Sequence, residues 1–188
     1  FTGIEAILKQ NSLRASQLAG VSLAVAGPVD SRRGVVTESP NMPDWHDVPL
    51  RDMVHDKFGV EAFLVNDASA AALGEQCFGA GKGIGSLVLL TLGTGIGGGI
   101  VIEGRLYEGV SGGAGELGHM VIDVDGPSCG CGRRGCLETL ASGTAIAREA
   151  VARLRRGEKS LLIGMSGGKL EDITAALVSE AAGQGDAL

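Results

Sequence analysis

The sequence predicts an α/β protein, and three observations carry that expectation. Two short apolar runs, VSLAVAG (21 to 27) and VEAFLVND (60 to 67), are bounded by turn residues and read as strands. The second runs directly into ASAAALGEQCF, an alanine-rich stretch that reads as a helix. SLVLLTLGTGIGGGIVIEGRLYEG (86 to 109) then reads as strand, glycine turn, strand and a second turn.

In chain order, Phe1 to Leu18 sets Ile4, Ile7, Leu8 and Leu18 among polar residues, which fits an amphipathic helix. VSLAVAG follows as a buried strand that Gly27-Pro28 ends as a turn. SPNMPDWHDVPL (39 to 50) holds three prolines and reads as a shaped loop, followed by a short helical stretch around LRDMVHDKFG. Asn66 or Asp67, at the end of the next strand, caps the alanine-rich helix. GAGKGIG (79 to 85) reads as a hinge or linker. After the strand pair come a glycine-rich loop, a cysteine cluster, a helix from about Leu137 to Arg156, and one more helix within LEDITAALVSEAAGQGDAL.

Composition bounds the function. At 188 residues and 44% hydrophobic the chain can bury a real core, as one large domain or two small lobes. A net charge of -6 and a pI near 5.1 leave no basic stripe for a phosphate backbone, which argues against a stand-alone nucleic-acid binder. Glycine, at 32 residues, is far above the roughly 7% usual in proteins, so glycine-dense loops are expected around a ligand or in plain turns. No apolar run reaches the roughly 20 residues of a membrane span, and FTGIEAILKQ lacks the order of a signal peptide. A cytoplasmic location without membrane contact is the expectation, although a chain that begins with Phe leaves the natural amino terminus open.

The cysteine cluster is the most specific chemistry. His119 precedes Cys129 by ten residues, and Cys129, Cys131 and Cys136 follow as C-x-C-x4-C, so four ligands fall within eighteen positions. That is the ligand count of a closed, structural Zn2+ site with no open position for activating water. Gly130, Gly132 and Gly135 let the backbone fold tightly enough for the thiolates to converge, and Arg133 and Arg134 can offset their charge. Disulfides and unliganded thiols in a turn are the competing readings. Cys77, alone on the alanine-rich helix, reads as a small buried hydrophobe.

GTGIGG (93 to 98) matches the dinucleotide pattern, but alternating β-branched residues follow it, so the loop joins two strands instead of opening a helix. Lys82 lacks the flanking residues of a P-loop. A glycine hairpin with Thr91 and Thr94 can still present N–H groups and hydroxyls to phosphate oxygens, and an ordinary tight hairpin is the alternative. Asp67 ends a strand and starts a helix, where it is either a simple N-cap or a carboxylate placed to take a proton from a substrate hydroxyl. Glu116 and Glu138 bracket the metal loop.

Together these stretches resemble the ROK family of bacterial sugar kinases and sugar-responsive repressors, especially its glucokinase-like members. GELGHMVIDVDGPSCGCGRRGCLE (115 to 138) is the sharpest part of the match, since it looks like the family zinc motif with its flanking acids. The resemblance implies an actin-like ATPase fold of ribonuclease H type, with two lobes closing on sugar and ATP. Residues 1–80 would hold part of the N-terminal lobe, with the sugar loop and the catalytic aspartate. Residues 81–188 would hold part of the C-terminal lobe, with the phosphate hairpin and the zinc loop. It further implies that Asn41 and Asn66 hold sugar hydroxyls, that Asp67 is the base on the attacking hydroxyl, and that Glu116, His119 and Glu138 contact further hydroxyls. His119 would use its other nitrogen on zinc, beside Cys129, Cys131 and Cys136. TLGTGIGGG would be the second phosphate loop, built from Thr91, Gly93, Thr94, Gly95 and Gly97, with Thr94 and Gly95 nearest the phosphates.

The activity so implied is ATP- and Mg2+-dependent phosphorylation of a hexose, most directly glucose to glucose 6-phosphate, by a dimer or tetramer. Four alternatives stay open: a sugar-responsive transcriptional regulator of the family, an N-acetylhexosamine kinase, polyphosphate in place of ATP as donor, and a zinc-stabilised binding module without catalysis. The family's D-x-G-G-T phosphate motif and its adenosine loop are not among these residues, and Ser69 stands in DASAAA where DANAAA is usual. The expectation is therefore an internal portion of a longer protein, with both lobes incomplete and this chain by itself inactive.

Overall fold

A computed structural model of the chain describes residues 1–39 and 42–188. Asn41, one of the expected sugar contacts, lies outside the described residues. The chain packs as two compact units, one formed by Phe1–Leu89 and Gly99–Gly115, the other by Leu90–Gly98 and Glu116–Leu188.

In the first unit, β1 (Val21–Val25) and β5 (Ala62–Asn66) pair in parallel, in register from Val21 opposite Ala62 to Val25 opposite Asn66. Between them in the chain, β2 (Val29–Asp30), β3 (Val35–Glu38) and β4 (His46–Val48) form an antiparallel sheet, and α2 (Leu50–Phe58) follows. Gly59 ends α2 in the left-handed conformation, φ 66°, with its N–H on the His55 carbonyl. Val29, Val36 and Leu64 form a buried cluster, with Leu23, Val25, Trp45, Val48 and Leu50 packed against it. Burying a side chain as completely as Val36 or Val54 stabilises by roughly 1.5–3 kcal/mol. The alanine-rich stretch forms α3 (Asp67–Phe78), which buries Ala68, Ser69 and Ala72 on one face.

β6 (Leu87–Leu92), β7 (Ile96–Ile102) and β8 (Arg105–Leu106) form a three-stranded sheet in that order. The glycine stretch therefore joins two strands, as the residue pattern requires. In the second unit, α4 (Leu137–Ala141), α5 (Gly143–Arg155), α6 (Leu162–Met165) and α7 (Ala175–Gly183) follow the cysteine loop. Ala150, Leu154, Leu162, Ile173 and Ala181 make that unit's buried cluster. No helix among the described residues is long and apolar enough to cross a membrane.

The structure corrects several expectations. The first helix, α1, spans only Thr2–Gln10, because Asn11 folds its side-chain amide back on the Ile7 carbonyl and Ser12 turns left-handed, φ 53°. β4 arises inside the proline-rich loop, a strand too short to show a period. The expected single helix over residues 137 to 156 is two helices, broken at an extended Ser142, φ -73° and ψ 166°. β1, expected to be buried, is not buried on both faces, since Ser22 and Ala24 are exposed. Cys77 is exposed as well. It lies nine residues past Ala68, which at about 100° per residue sets it opposite the buried face of α3.

Candidate functional site

At the end of β5 the chain turns directly into α3, and Asn66 makes that turn. Its backbone is extended, φ -65° and ψ 146°, while its side-chain oxygen accepts the Ser69 N–H at 3.1 Å as the N-cap. Its amide nitrogen donates to the Gly27 carbonyl at 3.1 Å, tying the end of β5 to the turn after β1. Asp67 is thereby released from capping. It is the first helical residue, exposed, with Oδ1 accepting the Ala68 N–H at 2.8 Å. The carboxylate sits at the positive end of the α3 dipole, and Oδ2 remains to accept a proton.

The second unit carries the His119, Cys129, Cys131 and Cys136 cluster. Residues 128 to 135 fold back on themselves: Ser128 bridges Arg134, the Cys129 N–H donates to the Arg133 carbonyl at 2.7 Å, and the Gly135 N–H donates to the Pro127 carbonyl at 2.8 Å. Gly132 and Gly135 take positive φ, 87° and 66°, and Gly130 does not. His119 closes a 3-10 turn, Leu117–His119, and Cys136 is the N-cap residue of α4. The ligand atoms of His119, Cys129, Cys131 and Cys136 all lie within 4.8 Å of one another.

Their spacing permits a direct fit test. Tetrahedral zinc with Zn–S near 2.3 Å and Zn–N near 2.0–2.1 Å sets neighbouring sulfurs about 3.8 Å apart and nitrogen about 3.6 Å from sulfur. Cys131 and Cys136 Sγ are 3.6 Å apart, and His119 Nδ1 is 3.5 Å from Cys129 Sγ. All four cysteines are free thiols. The donor set therefore fits a tetrahedral thiolate-imidazole ion. Arg133, hydrogen-bonded to Cys131, lowers that thiol to about 6, whereas burial raises Cys136 to about 11. His119 presents Nδ1 to the cluster and Nε2 to Glu116, whose Oε2 is 3.8 Å away.

The glycine hairpin belongs to the same unit over residues 90–98. Thr91 lies in β6, Gly93, Thr94 and Gly95 make the turn, and Gly97 lies in β7. The Gly93 N–H donates to the Gly95 carbonyl at 3.0 Å. Glu138, on α4, accepts the Ile96 N–H at 2.8 Å through Oε2. Thr144, at the start of α5, donates its hydroxyl to the Thr94 carbonyl at 2.8 Å, and the Gly143 N–H donates to the Gly93 carbonyl at 2.9 Å. Glu138 is thus joined to the hairpin, and His119 to Glu116 and the cysteines. Asn66 and Asp67 belong to the other unit. Sequence reasoning missed Ser142, Gly143 and Thr144, because a serine inside a continuous helical pattern, with no Glu or Gln three residues later, does not mark a new N-cap.

A ROK family profile matches residues 1–188, the whole chain. The chain belongs to the ROK family. ROK proteins have the actin-like ATPase fold, and the mixed parallel and antiparallel sheets described above agree with it. A glucokinase of Thermotoga maritima is 47% identical over 88% of this ROK chain and 52% of its own length. The crystal structure of a ROK family glucokinase from Streptomyces griseus in complex with glucose and AMPPNP superposes with a TM-score of 0.79 at 40% identity, covering 98% of this chain and 60% of that one. A ROK family transcriptional regulator superposes with a TM-score of 0.84 at 34% identity, covering 99% of this chain and 46% of that one. The chain spans about half the length of the curated relatives it matches.

Proposed function

We propose that this chain is the sugar-recognition and phosphate-hairpin portion of a ROK family hexose kinase that phosphorylates glucose from ATP. The observation that carries the reading is Asp67, which stands uncapped and exposed at a strand end because Asn66 does the capping. Similarity to the Thermotoga maritima and Streptomyces griseus glucokinases supports it.

Asp67 acts as general base. Its Oδ2 accepts the proton of the attacking hydroxyl, while the Ala68 N–H on Oδ1 holds the carboxylate oriented. Asn41 and Asn66 hold sugar hydroxyls, and Asn66 retains one amide hydrogen beyond its bond to Gly27 for this role. Glu116, His119 and Glu138 contact further hydroxyls. In the hairpin, Thr91, Gly93 and Gly97 shape a turn whose Thr94 and Gly95 face the phosphates of MgATP. Phosphoryl transfer needs positioning and charge neutralisation more than covalent help, which suits a rigid frame of this kind. His119, Cys129, Cys131 and Cys136 would hold zinc, which would supply structural order to the ring of His119 and the start of α4.

The test is Asp67→Asn in the full-length protein. Turnover should fall by about 10²–10⁴-fold with sugar binding by calorimetry retained; unchanged turnover removes Asp67 from the mechanism. A second reading, a sugar-responsive regulator, is favoured by the superposition on the ROK family transcriptional regulator. It predicts sugar-dependent DNA binding by the full-length protein and no transfer of phosphate.

A further inference from the structure

The break between α4 and α5 has a use beyond ending a helix. We propose that α4 and the Ser142-Gly143-Thr144 turn form a clamp that aims the phosphate hairpin, with Thr144 and Glu138 as its positioning residues. The proposal rests on reading that hairpin as the site for the terminal phosphates of a nucleoside triphosphate.

A glycine-rich turn cannot aim itself, since glycine loses more conformational freedom on ordering than any other residue. Here the order comes from outside the turn. Gly143 N–H and Thr144 hydroxyl hold the carbonyls of Gly93 and Thr94, at 2.9 and 2.8 Å, and Glu138 holds the Ile96 N–H at 2.8 Å. The Thr144 hydroxyl is itself set by Ser142. Ser142 Oγ lies 2.9 Å from Thr144 Oγ1 and accepts the Ala145 N–H at 3.2 Å, so its proton goes to Thr144 and the proton of Thr144 goes to Thr94. Ser142 is buried and anchors the exposed Thr144 hydroxyl from the protein side.

Peptide planarity turns these contacts into aim. In a trans peptide the N–H of one residue points opposite to the carbonyl of the residue before it, and the chain has no cis bonds among the described residues. Clamping the carbonyls of Gly93 and Thr94 toward α5 therefore directs the N–H groups of Thr94 and Gly95 away from it. The clamp yields two adjacent, fixed donors, the arrangement that stabilises charge on phosphate oxygens without reorganisation. Two glycines make the approach possible. A Cβ on Gly143 would meet the Gly93 carbonyl oxygen at 2.7 Å, and one on Gly95 would run into the Glu138 carboxylate.

Thr144→Val removes the hydroxyl and keeps the shape, and Thr144→Ser keeps the hydroxyl. In the full-length protein, Thr144→Val should raise KM for ATP about tenfold and lower kcat, with KM for the sugar unchanged, and Thr144→Ser should restore both. Hydrogen exchange of the 93–97 amides should accelerate in Thr144→Val and not in Thr144→Ser. Wild-type exchange at these amides in Thr144→Val overturns the clamp, as does an equal change in both KM values. A wild-type protein that phosphorylates no sugar sinks the kinase reading instead; faster exchange in Thr144→Val then still supports the clamp, and unchanged exchange still overturns it.

Discussion

Asn66 shows how one side chain decides what its neighbour is for. It caps α3 and reaches the Gly27 carbonyl, 39 residues earlier in the chain, and so leaves the Asp67 carboxylate out of the cap. Asn66→Ala should cost about 1 kcal/mol in denaturant unfolding, and a loss near zero would mean that Asp67 takes over the cap. The convergence of His119, Cys129, Cys131 and Cys136 was legible in the sequence because all four fall within eighteen positions. Cap assignment was not, since Asn66 and Asp67 are both good caps and only the distant carbonyl separates them. Cys131→Ser should reduce bound zinc well below one per chain, as read by elemental analysis. Asp186 gives a pH test. Its carboxylate accepts the Leu188 and Leu161 N–H groups and the Ser160 hydroxyl, which hold it below the usual range. A lowered folded-state pKa gives stability that is present above the unfolded value, about 3.9, and lost as pH falls through the folded one. Asp186→Asn should therefore be less stable than wild type at pH 7 and approach it in acid; equal melting at pH 7 would contradict this.

Among the elements, long-range contacts decided what local pattern could not. Residues 137 to 156 carry a helical pattern throughout, yet the Gly93 carbonyl captures the Gly143 N–H and Ser142 caps a new helix. Nothing local announces that the capture will win. Gly143→Ala should lower the melting temperature of the full-length protein, by an amount equivalent to about 1–3 kcal/mol, because its Cβ would press on the Gly93 oxygen. An unchanged melting temperature would show that the helix junction shifts freely. By contrast, β5 and α3 were legible from their residues, since an apolar run meets an alanine-rich one at a capping dipeptide. β4 was not, because its three residues owe their pairing to β3 alone.

For the whole molecule, the apolar runs identified strands correctly, although β1, expected to be buried, exposes Ser22 and Ala24. Val88, Leu90 and Leu92 are 62%, 46% and 74% exposed along β6, and Phe63 of β5 is 61% exposed. Apolar surface of this kind promotes association. The 188-residue chain by itself should self-associate in sedimentation experiments, and a clean monomer at high concentration would contradict that. Zinc, the hairpin and Asp67 acquire a common purpose only if the full-length protein transfers phosphate. The direct measurement is sugar phosphate formation from ATP and Mg2+ by the zinc-loaded, full-length protein, across glucose, N-acetylglucosamine and N-acetylmannosamine. One dominant product, glucose 6-phosphate, is expected; no product from any of the sugars would contradict the kinase reading.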